Sequence, residues 1–463
     1  MRRSPFQEYS GRRQFRFLQD DVAPGHGLKA NIPGMLYDGF HILGDDRTRP
    51  EVTARVLALL FAVNTVNIYD RMAPASLLEP VRREFGLSDA QAGLLQTGFI
   101  LVYAAAGLPL GRLADRSSRK RLLAAAVAVW GALTALGGAA GSYGTLLACR
   151  LGVGLGEAAC APAATSWIGA IFPAGKRARA LAVFMFGVPL GGALSYALSG
   201  PIAQAWGWRV AMAAAGAPAL LLAPALLLAP EPAREPGMAA PASPWKLLRN
   251  PALAWITISG AMLNFSLYAF ATFLPAFVTR VHGWSLAQAG VWTGVGYGVA
   301  GIAGGVAGGW VGDRVIHRRA GARLRAAALA ALAAAPLATL GVLQPRGAAV
   351  GALLALLAAY ALLSSYYALV YASIQDLVPP AAVGSAMAVY FLAMYLCGAA
   401  FGPVLTGGLS DHLAARALGA GVPAETARAL GLQQAMLVIP ALAAAVAGPL
   451  FIAARAAARL GRS

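Results

Sequence analysis

Apolar runs long enough to cross a bilayer recur along almost the whole chain. The hydrocarbon core of a membrane needs roughly 20 apolar residues per helix, and short polar connections separate the runs. The pattern predicts spans at 52–78, 90–111, 121–141, 144–170, 179–201, 208–229, 252–279, 286–311, 322–343, 348–375, 382–409 and 433–456. We therefore expect an all-α membrane protein with twelve transmembrane helices.

Polar segments divide these spans into two sets of six. Residues 1–51 mix Arg, Asp, Gly and Pro, and predict a cytoplasmic tail that is either a short interfacial helix or an unstructured segment. Residues 231–250 are polar and begin with a proline-rich stretch, which is typical of a cytoplasmic linker. The predicted domains are a six-helix bundle at 52–230, a second at 251–456 and a short cytoplasmic tail at 457–463.

An internal repeat supports this division. The segment Gly86–Gly93 is echoed 197 residues later by Gly283–Gly290, and Gly111–Arg116 is echoed 198 residues later by Gly309–Arg314. Two matches in register indicate parallel repeats related by an axis along the membrane normal. Such repeats place a substrate site between the halves near the midplane.

Composition and charge fit this architecture. The chain is 58% apolar and only 12% charged, with a mean hydropathy of +0.63, whereas about a quarter of the residues in a soluble domain are charged. The net charge of +18 comes largely from alternate loops, which by the positive-inside rule are cytoplasmic together with both termini. The main basic residues of these loops are Arg112, Arg116, Arg119, Lys120, Arg121, Lys176, Arg177, Arg179, Arg314, Arg318, Arg319, Arg323 and Arg325. This distribution indicates a bacterial-type inner membrane protein that contacts anionic lipid headgroups, and it argues against nucleic-acid binding.

The segment Gly111–Arg121 and its copy at Gly309–Arg319 resemble the cytoplasmic-loop signature of the major facilitator superfamily. Arg150–Gly154 and Gly187–Gly192 are similar to two further signatures of that family, the second of which is common in antiporters. The resemblance implies a cytoplasmic latch that stabilises the outward-open state; alternatively, these charges only fix topology. The implied gating residues are Gly111, Asp115, Arg116, Arg119, Gly309, Asp313 and Arg314.

Three stretches resemble the spinster group within that superfamily: Asn67–Arg71, Leu87–Leu95 and Gly154–Ala158. The resemblance implies a proton-linked carrier of lysophospholipid or sphingolipid-like amphiphiles. It also implies that the acid of segment 1, with the arginine and glutamate of segment 4, forms the coupling site.

Ionised residues inside a membrane are costly and usually face a cavity and a partner. Four qualify, all in the first half: Asp70, Arg71, Arg150 and Glu157. From the helical rise, Asp70 and Arg150 both lie roughly 10 Å outside the midplane, and Glu157 follows Arg150 by two turns on the same face. We expect Asp70 to pair with Arg150, and protonation of Asp70 or Glu157 to release the arginine to a substrate headgroup. The alternatives are that Asp70 and Arg71 cap segment 1 and that Arg150 only positions a helix.

The second half lacks these charges and is expected to shape the substrate site. In the repeat alignment Asn67 matches Asn264, and Arg71 matches Tyr268. Aromatic residues of segments 7 and 10 line a channel for a lipid tail in one interpretation and face lipid in the other. The predicted substrate-binding residues are Asn64, Asn67, Arg71, Arg150, Asn264, Tyr268 and Tyr367.

The sequence therefore predicts a proton-coupled secondary transporter of an amphiphilic solute, for which a monomer suffices. The main alternative is a proton-driven exporter of drugs or other small organic molecules; a third is a non-transporting sensor. Cys149, Cys160 and Cys397 lie in apolar runs and imply neither a disulfide framework nor a metal site. No pattern indicates an enzyme or a cofactor.

Overall fold

The computed structural model describes residues 50–231, 248–315, 321–379 and 382–460, and the regular structure in these ranges is helical. The predicted tail at 1–51 and linker at 231–250 therefore lie almost entirely outside the described residues, as do the last three residues of the chain. The predicted domain boundaries stay predictions.

Eight helices form the first half. They are α1 (Pro50–Ser76), α2 (Leu78–Phe85), α3 (Asp89–Arg116), α4 (Arg119–Gly137), α5 (Tyr143–Glu157), α6 (Cys160–Ile171), α7 (Ala174–Trp206) and α8 (Trp208–Leu228). The predicted span at 144–170 is divided into α5 and α6. Proline has no N–H and its ring clashes with the carbonyl four residues earlier, so Pro162 disturbs the helix at Ala158. The break leaves Glu157 as the last residue of α5.

The described part of the second half contains eight α-helices and one π-helical turn. These are α9 (Pro251–His282), α10 (Leu286–Val315), α11 (Ala322–Val342), α12 (Ala349–Leu377), α13 (Val383–Ala393), the π-helical turn (Met394–Ala399), α14 (Phe401–Gly419), α15 (Ala424–Ala435) and α16 (Val438–Leu460). The predicted span at 382–409 contains the π-helical turn and continues to Gly419. The helical region of the last span begins at Ala424, earlier than the predicted residue 433.

The expected all-helical membrane fold is confirmed. Eleven helical stretches in the described ranges are long and apolar enough to cross a membrane. The remaining predicted span corresponds to α10, whose ten glycines lower its mean hydropathy. At 1.5 Å per residue, the 30 residues of α10 measure about 45 Å, which is sufficient to cross a bilayer.

The two halves meet along one side of the molecule, the side predicted to face outward. The α3–α14 and α7–α10 pairs make this contact. At Gly407 a Cβ atom would collide with the backbone of Asp89, so the helices approach too closely for a side chain. The Thr97 hydroxyl donates to the Ala400 carbonyl at 2.5 Å. The Tyr196 hydroxyl likewise donates to the Ala271 carbonyl at 2.7 Å, which adds a further bond between the halves on this side.

Candidate functional site

A buried ion pair joins α1 to the end of α5. Arg71 donates from Nε and Nη2 to the same oxygen of Glu157, Oε2, at 3.0 and 2.8 Å. The Arg71 side chain retains 6% exposure and that of Glu157 none. A carboxylate at a helix C-terminus meets the negative end of the helix dipole, so Glu157 depends on this arginine for compensation.

A second, looser ion pair lies between the same helices. The Thr134 hydroxyl of α4 lies 2.7 Å from both carboxylate oxygens of Asp70. Arg150 Nη1 is 3.5 Å from Asp70 Oδ1, and its Nε and Nη2 are buried without a hydrogen-bond partner among the described residues. The structure thus brings Asp70 and Arg150 together, with Thr134 as the closer partner of the acid.

The two pairs point in different directions from α1. Consecutive helical residues are separated by about 100° around the axis, so Asp70 and Arg71 face different neighbours. Arg150 and Glu157 stand two turns apart on α5 and receive one side chain each. This arrangement explains why four ionisable residues form two pairs rather than one cluster.

Aromatic rings surround the Arg71 guanidinium. Its central carbon lies 4.5 Å from the centroid of Tyr103 and 5.3 Å from that of Phe99. Tyr103 in turn contacts Tyr395 of the second half, with ring centroids 5.5 Å apart. Tyr395 packs at the edge of the main hydrophobic cluster of each half. Arg71 therefore lies close to the boundary between the halves.

Half-buried aromatic residues extend from Tyr395 into the second half. Tyr268 is 6.2 Å from Tyr395, and Tyr371 is 5.6 Å from Tyr367 and 5.5 Å from Phe391, all between ring centroids. We call the following residues the aromatic wall: Tyr103, Tyr268, Tyr367, Tyr371, Phe391 and Tyr395. Their partial exposure distinguishes them from the fully buried rings of the core.

The predicted asparagines have different surroundings. Asn64 donates to the Phe184 carbonyl of α7 at 2.7 Å, so its amide links α1 to α7. Asn264 donates to the Gly260 carbonyl and accepts from the Tyr367 hydroxyl, both at 2.9 Å. Asn67 accepts from Arg71 at 3.4 Å. The hydrogen bonds of Asn64 and Asn264 thus go to uncharged groups, whereas Asn67 lies beside the charged Arg71.

A group of charged residues that the sequence did not single out joins the halves on the predicted outer side. Arg280 of α9 contacts Glu79 at 2.5 Å and Asp89 at 2.7 Å. Asp411 of α14 accepts from the backbone N–H groups of Asp89 and Ala90, both at 2.8 Å, at the start of α3. We call Arg280, Glu79, Asp89 and Asp411 the outer ion cluster.

The predicted gating residues of the first half lie at helix ends on the opposite side. Arg119 donates from Nε to the Ser166 hydroxyl at 2.9 Å, and its backbone N–H donates to Glu231 at 2.6 Å. A Cβ atom at Gly111 would meet nothing within 4 Å. The side chains of Asp115 and Arg116 lie outside the described part of the structure.

The repeat of this motif in the second half is more exposed. The Arg314 guanidinium stacks on Trp310 at 3.4 Å, Asp313 is exposed, and a Cβ atom at Gly309 would also meet open space. No ion pair between described residues joins the two motifs. The cytoplasmic latch therefore stays a prediction about another conformation.

Comparisons with known proteins agree with this architecture. The sequence model of the Major Facilitator Superfamily matches residues 60–403. An MFS-type efflux pump of Mycolicibacterium smegmatis is 35% identical over 379 residues, which are 80% of this chain and 87% of that protein. The sphingosine-1-phosphate transporter SPNS2 of Danio rerio is 30% identical over 245 residues, which are 50% of this chain and 48% of that protein.

The fold comparison adds a solved structure. A bacterial homolog of the human lysosomal transporter spinster, in an inward-facing and unoccupied conformation, superposes with a TM-score of 0.79 and 25% identity. The match covers 89% of this chain and 98% of that one.

Proposed function

This chain belongs to the Major Facilitator Superfamily, and we propose that it carries an amphiphilic, lipid-like solute by proton-coupled alternating access. Its similarity to spinster proteins is shown over most of the chain. The proposal rests above all on the Arg71–Glu157 pair. Its cation, Arg71, keeps 6% side-chain exposure and lies next to the aromatic wall. We place the protein in an inner membrane with its basic loops in the cytoplasm.

Arg71 is the residue best placed to bind an anionic headgroup. Its Nε and Nη2 are held by Glu157. The side chains of Tyr103 and Tyr395 also contact the guanidinium, and the Arg71 side chain keeps 6% exposure. Arg150, which the sequence favoured for this role, is 1% exposed and is covered by Asp70 and by the ring of Phe99 at 4.8 Å. We therefore assign the headgroup to Arg71 and a positioning role to Arg150.

Glu157 and an anionic headgroup compete for the same guanidinium. Protonation of Glu157 removes its charge and weakens its two hydrogen bonds, because the Coulombic attraction between the carboxylate and the Arg71 cation is lost. Asp70 and Glu157 are both 0% exposed, so a proton must reach them from the Arg71 side or in another conformation. In this proposal, protonation and headgroup binding are therefore linked at one arginine.

The aromatic wall suits the apolar part of such a solute. Aromatic side chains offer large apolar surfaces together with hydroxyl groups that accept polar atoms. The wall begins at Tyr103 beside Arg71 and continues through Tyr395 to Tyr268. A second run of the wall joins Tyr367 through Tyr371 to Phe391. A charged headgroup at Arg71 and a tail along these rings describe an amphiphile.

Export of drugs or other small organic molecules is the second candidate. The relative of 35% identity is an efflux pump, and Gly187–Gly192 resembles the glycine-rich signature common in antiporters. The two candidates differ in solute and direction, so dye efflux compared with lysolipid uptake in the same vesicles separates them.

Transport by purified protein in liposomes tests the proposal. With an inward proton gradient we expect concentrative uptake of a lysolipid, loss of the response to the gradient in Glu157→Gln, and an increase in KM of about tenfold in Arg71→Lys. Lysine retains the charge but cannot bind the headgroup in a bidentate way. The KM rises because a lost hydrogen bond to a charged group costs about 1.5–3 kcal/mol.

Arg209→Gln is the matched control. Arg209 pairs with Glu84 at 2.8 Å on the surface of the first half, with 39% and 44% side-chain exposure, and its loss should leave uptake unchanged. Full proton coupling in both Asp70→Asn and Glu157→Gln would refute the assignment of these acids.

A further inference from the structure

The charges of the buried site cancel. Asp70 and Glu157 carry two negative charges, and Arg71 and Arg150 carry two positive ones. All four residues are at most 5% exposed. They contact one another as two pairs, Arg71 with Glu157 and Arg150 with Asp70. With all four side chains ionised, the site is electrically neutral.

The neighbouring elements contribute groups that are uncharged at neutral pH. Those that face the four residues are Thr134 of α4, Cys149 of α5, Cys160 of α6, Phe99 and Tyr103 of α3, Tyr268 of α9, Tyr395 of the π-helical turn, and Asn67 and Tyr69 of α1 itself. None of these side chains supplies a compensating charge. A headgroup that enters beside Arg71 must therefore be balanced by the four residues or by something that comes with it.

An uncompensated charge is expensive in such surroundings. Removal of one partner from a buried ion pair is strongly destabilising, because the remaining charge stays buried without compensation. A monoanionic headgroup would leave this site with a net charge of −1. One proton on a buried carboxylate restores neutrality with no other change in composition.

Glu157 has an oxygen available for that proton. Both bonds from Arg71 go to Oε2, while Oε1 is buried with no hydrogen-bond partner among the described residues. A protonated carboxyl group donates one hydrogen bond. With the proton on Oε1, Glu157 can donate to the headgroup that has taken its place on Arg71.

We propose that each monoanionic headgroup binds together with one proton, so that anion and proton cross in the same direction without net movement of charge. This inference rests on the proposed function, and it adds a stoichiometry and a class of headgroup. The number of protons bound equals the net negative charge of the ligand. A zwitterionic or uncharged amphiphile binds without a proton.

Calorimetric titration of the full chain in detergent measures the number of protons bound with each ligand. Binding enthalpies in two buffers of different ionisation enthalpy give the protons taken up per ligand at pH 7. The probes share one acyl chain: 1-lauroyl lysophosphatidylglycerol with one negative charge, and 1-lauroyl lysophosphatidylcholine with none. We expect close to one proton for the first and close to zero for the second.

Variants of the two acids sharpen the test. Glu157→Gln and Asp70→Asn each leave the resting site with a charge of +1, so both should bind the anionic probe with no proton uptake. Glu84→Gln, which alters a 44% exposed acid outside the site, should retain close to one proton. Uptake of a proton with the zwitterion, or none with the anion in the unaltered chain, would overturn the inference.

A transport measurement separates this inference from the proposed function. A membrane potential changes the accumulation of one net charge by about 50-fold per 100 mV and leaves an electroneutral process unchanged. Proton-driven uptake of the anionic probe that responds to a clamped potential refutes electroneutral coupling and leaves the proposed function standing. If neither probe moves with a proton gradient, the proposed function itself fails.

Discussion

At the scale of single residues, the surroundings of the buried charges differ from what their spacing indicated. The sequence brought Asp70 and Arg150 to one level, because the helical rise gives them similar depths, and it placed Glu157 two turns from Arg150 on the same helix face. It did not reveal Thr134, a hydroxyl in an apolar helix that lies 2.7 Å from both oxygens of Asp70. Nor did the sequence show that Arg71 is more exposed than Arg150, because the exposure of a side chain depends on its neighbours from other helices.

Thr134→Val should destabilise the folded protein. Asp70 would then keep only the 3.5 Å contact with Arg150, and loss of a hydrogen bond to a buried charged group costs about 1.5–3 kcal/mol. Thermal unfolding in detergent measures the change, with Thr134→Ser as the control that retains the hydroxyl. Equal unfolding temperatures for the two variants would contradict this role.

At the scale of helices, proline and glycine decide where elements break and how closely they approach. Pro162 separates α5 from α6, and the π-helical turn at Met394–Ala399 interrupts the predicted eleventh span. Such turns often occur at functional sites, and this one contains Tyr395 of the aromatic wall. Apolar periodicity does not show the extra residue in the turn, because every position there is compatible with a membrane helix.

Gly407→Val should separate the halves on the outer side. A Cβ atom at Gly407 would overlap the backbone of Asp89, whereas the adjacent Gly408 has nothing within 4 Å of that position. We expect a cysteine introduced at Ala92, which is 4% exposed, to react faster with a water-soluble maleimide when Gly407→Val is present. Gly408→Val is the matched control, and equal reactivity of the two would show that the contact does not limit opening.

At the scale of the whole molecule, the outer ion cluster joins the two halves on the predicted outer side. Arg280 is 7% exposed and binds acids of α2 and α3, which belong to the other half. Ser410 of α14 also donates to Asp89 at 2.7 Å. These contacts must break before the site can open outward, so the cluster stabilises the closed outer side.

Arg280→Gln should shift the protein towards the outward-open state. Breaking a buried ion pair by removing one partner costs about 3–5 kcal/mol, which corresponds to a change of more than a hundredfold in the ratio of the two states. Distances between spin labels on the outer ends of α3 and α14 would report the shift. Arg209→Gln removes an ion pair on the same side within one half, and the same distances in both variants would exclude this role for Arg280.

The sequence by itself determined the helical membrane fold, the repeat and the small set of buried charges, because apolar length and the cost of a charge in a membrane are local properties. Only the tertiary structure decided that Glu157 pairs with Arg71, that Arg71 is more exposed than Arg150, and which residues join the two halves. Those contacts join residues 86, 201 and 322 positions apart. They depend on the rotation and spacing of helices that the apolar pattern leaves free.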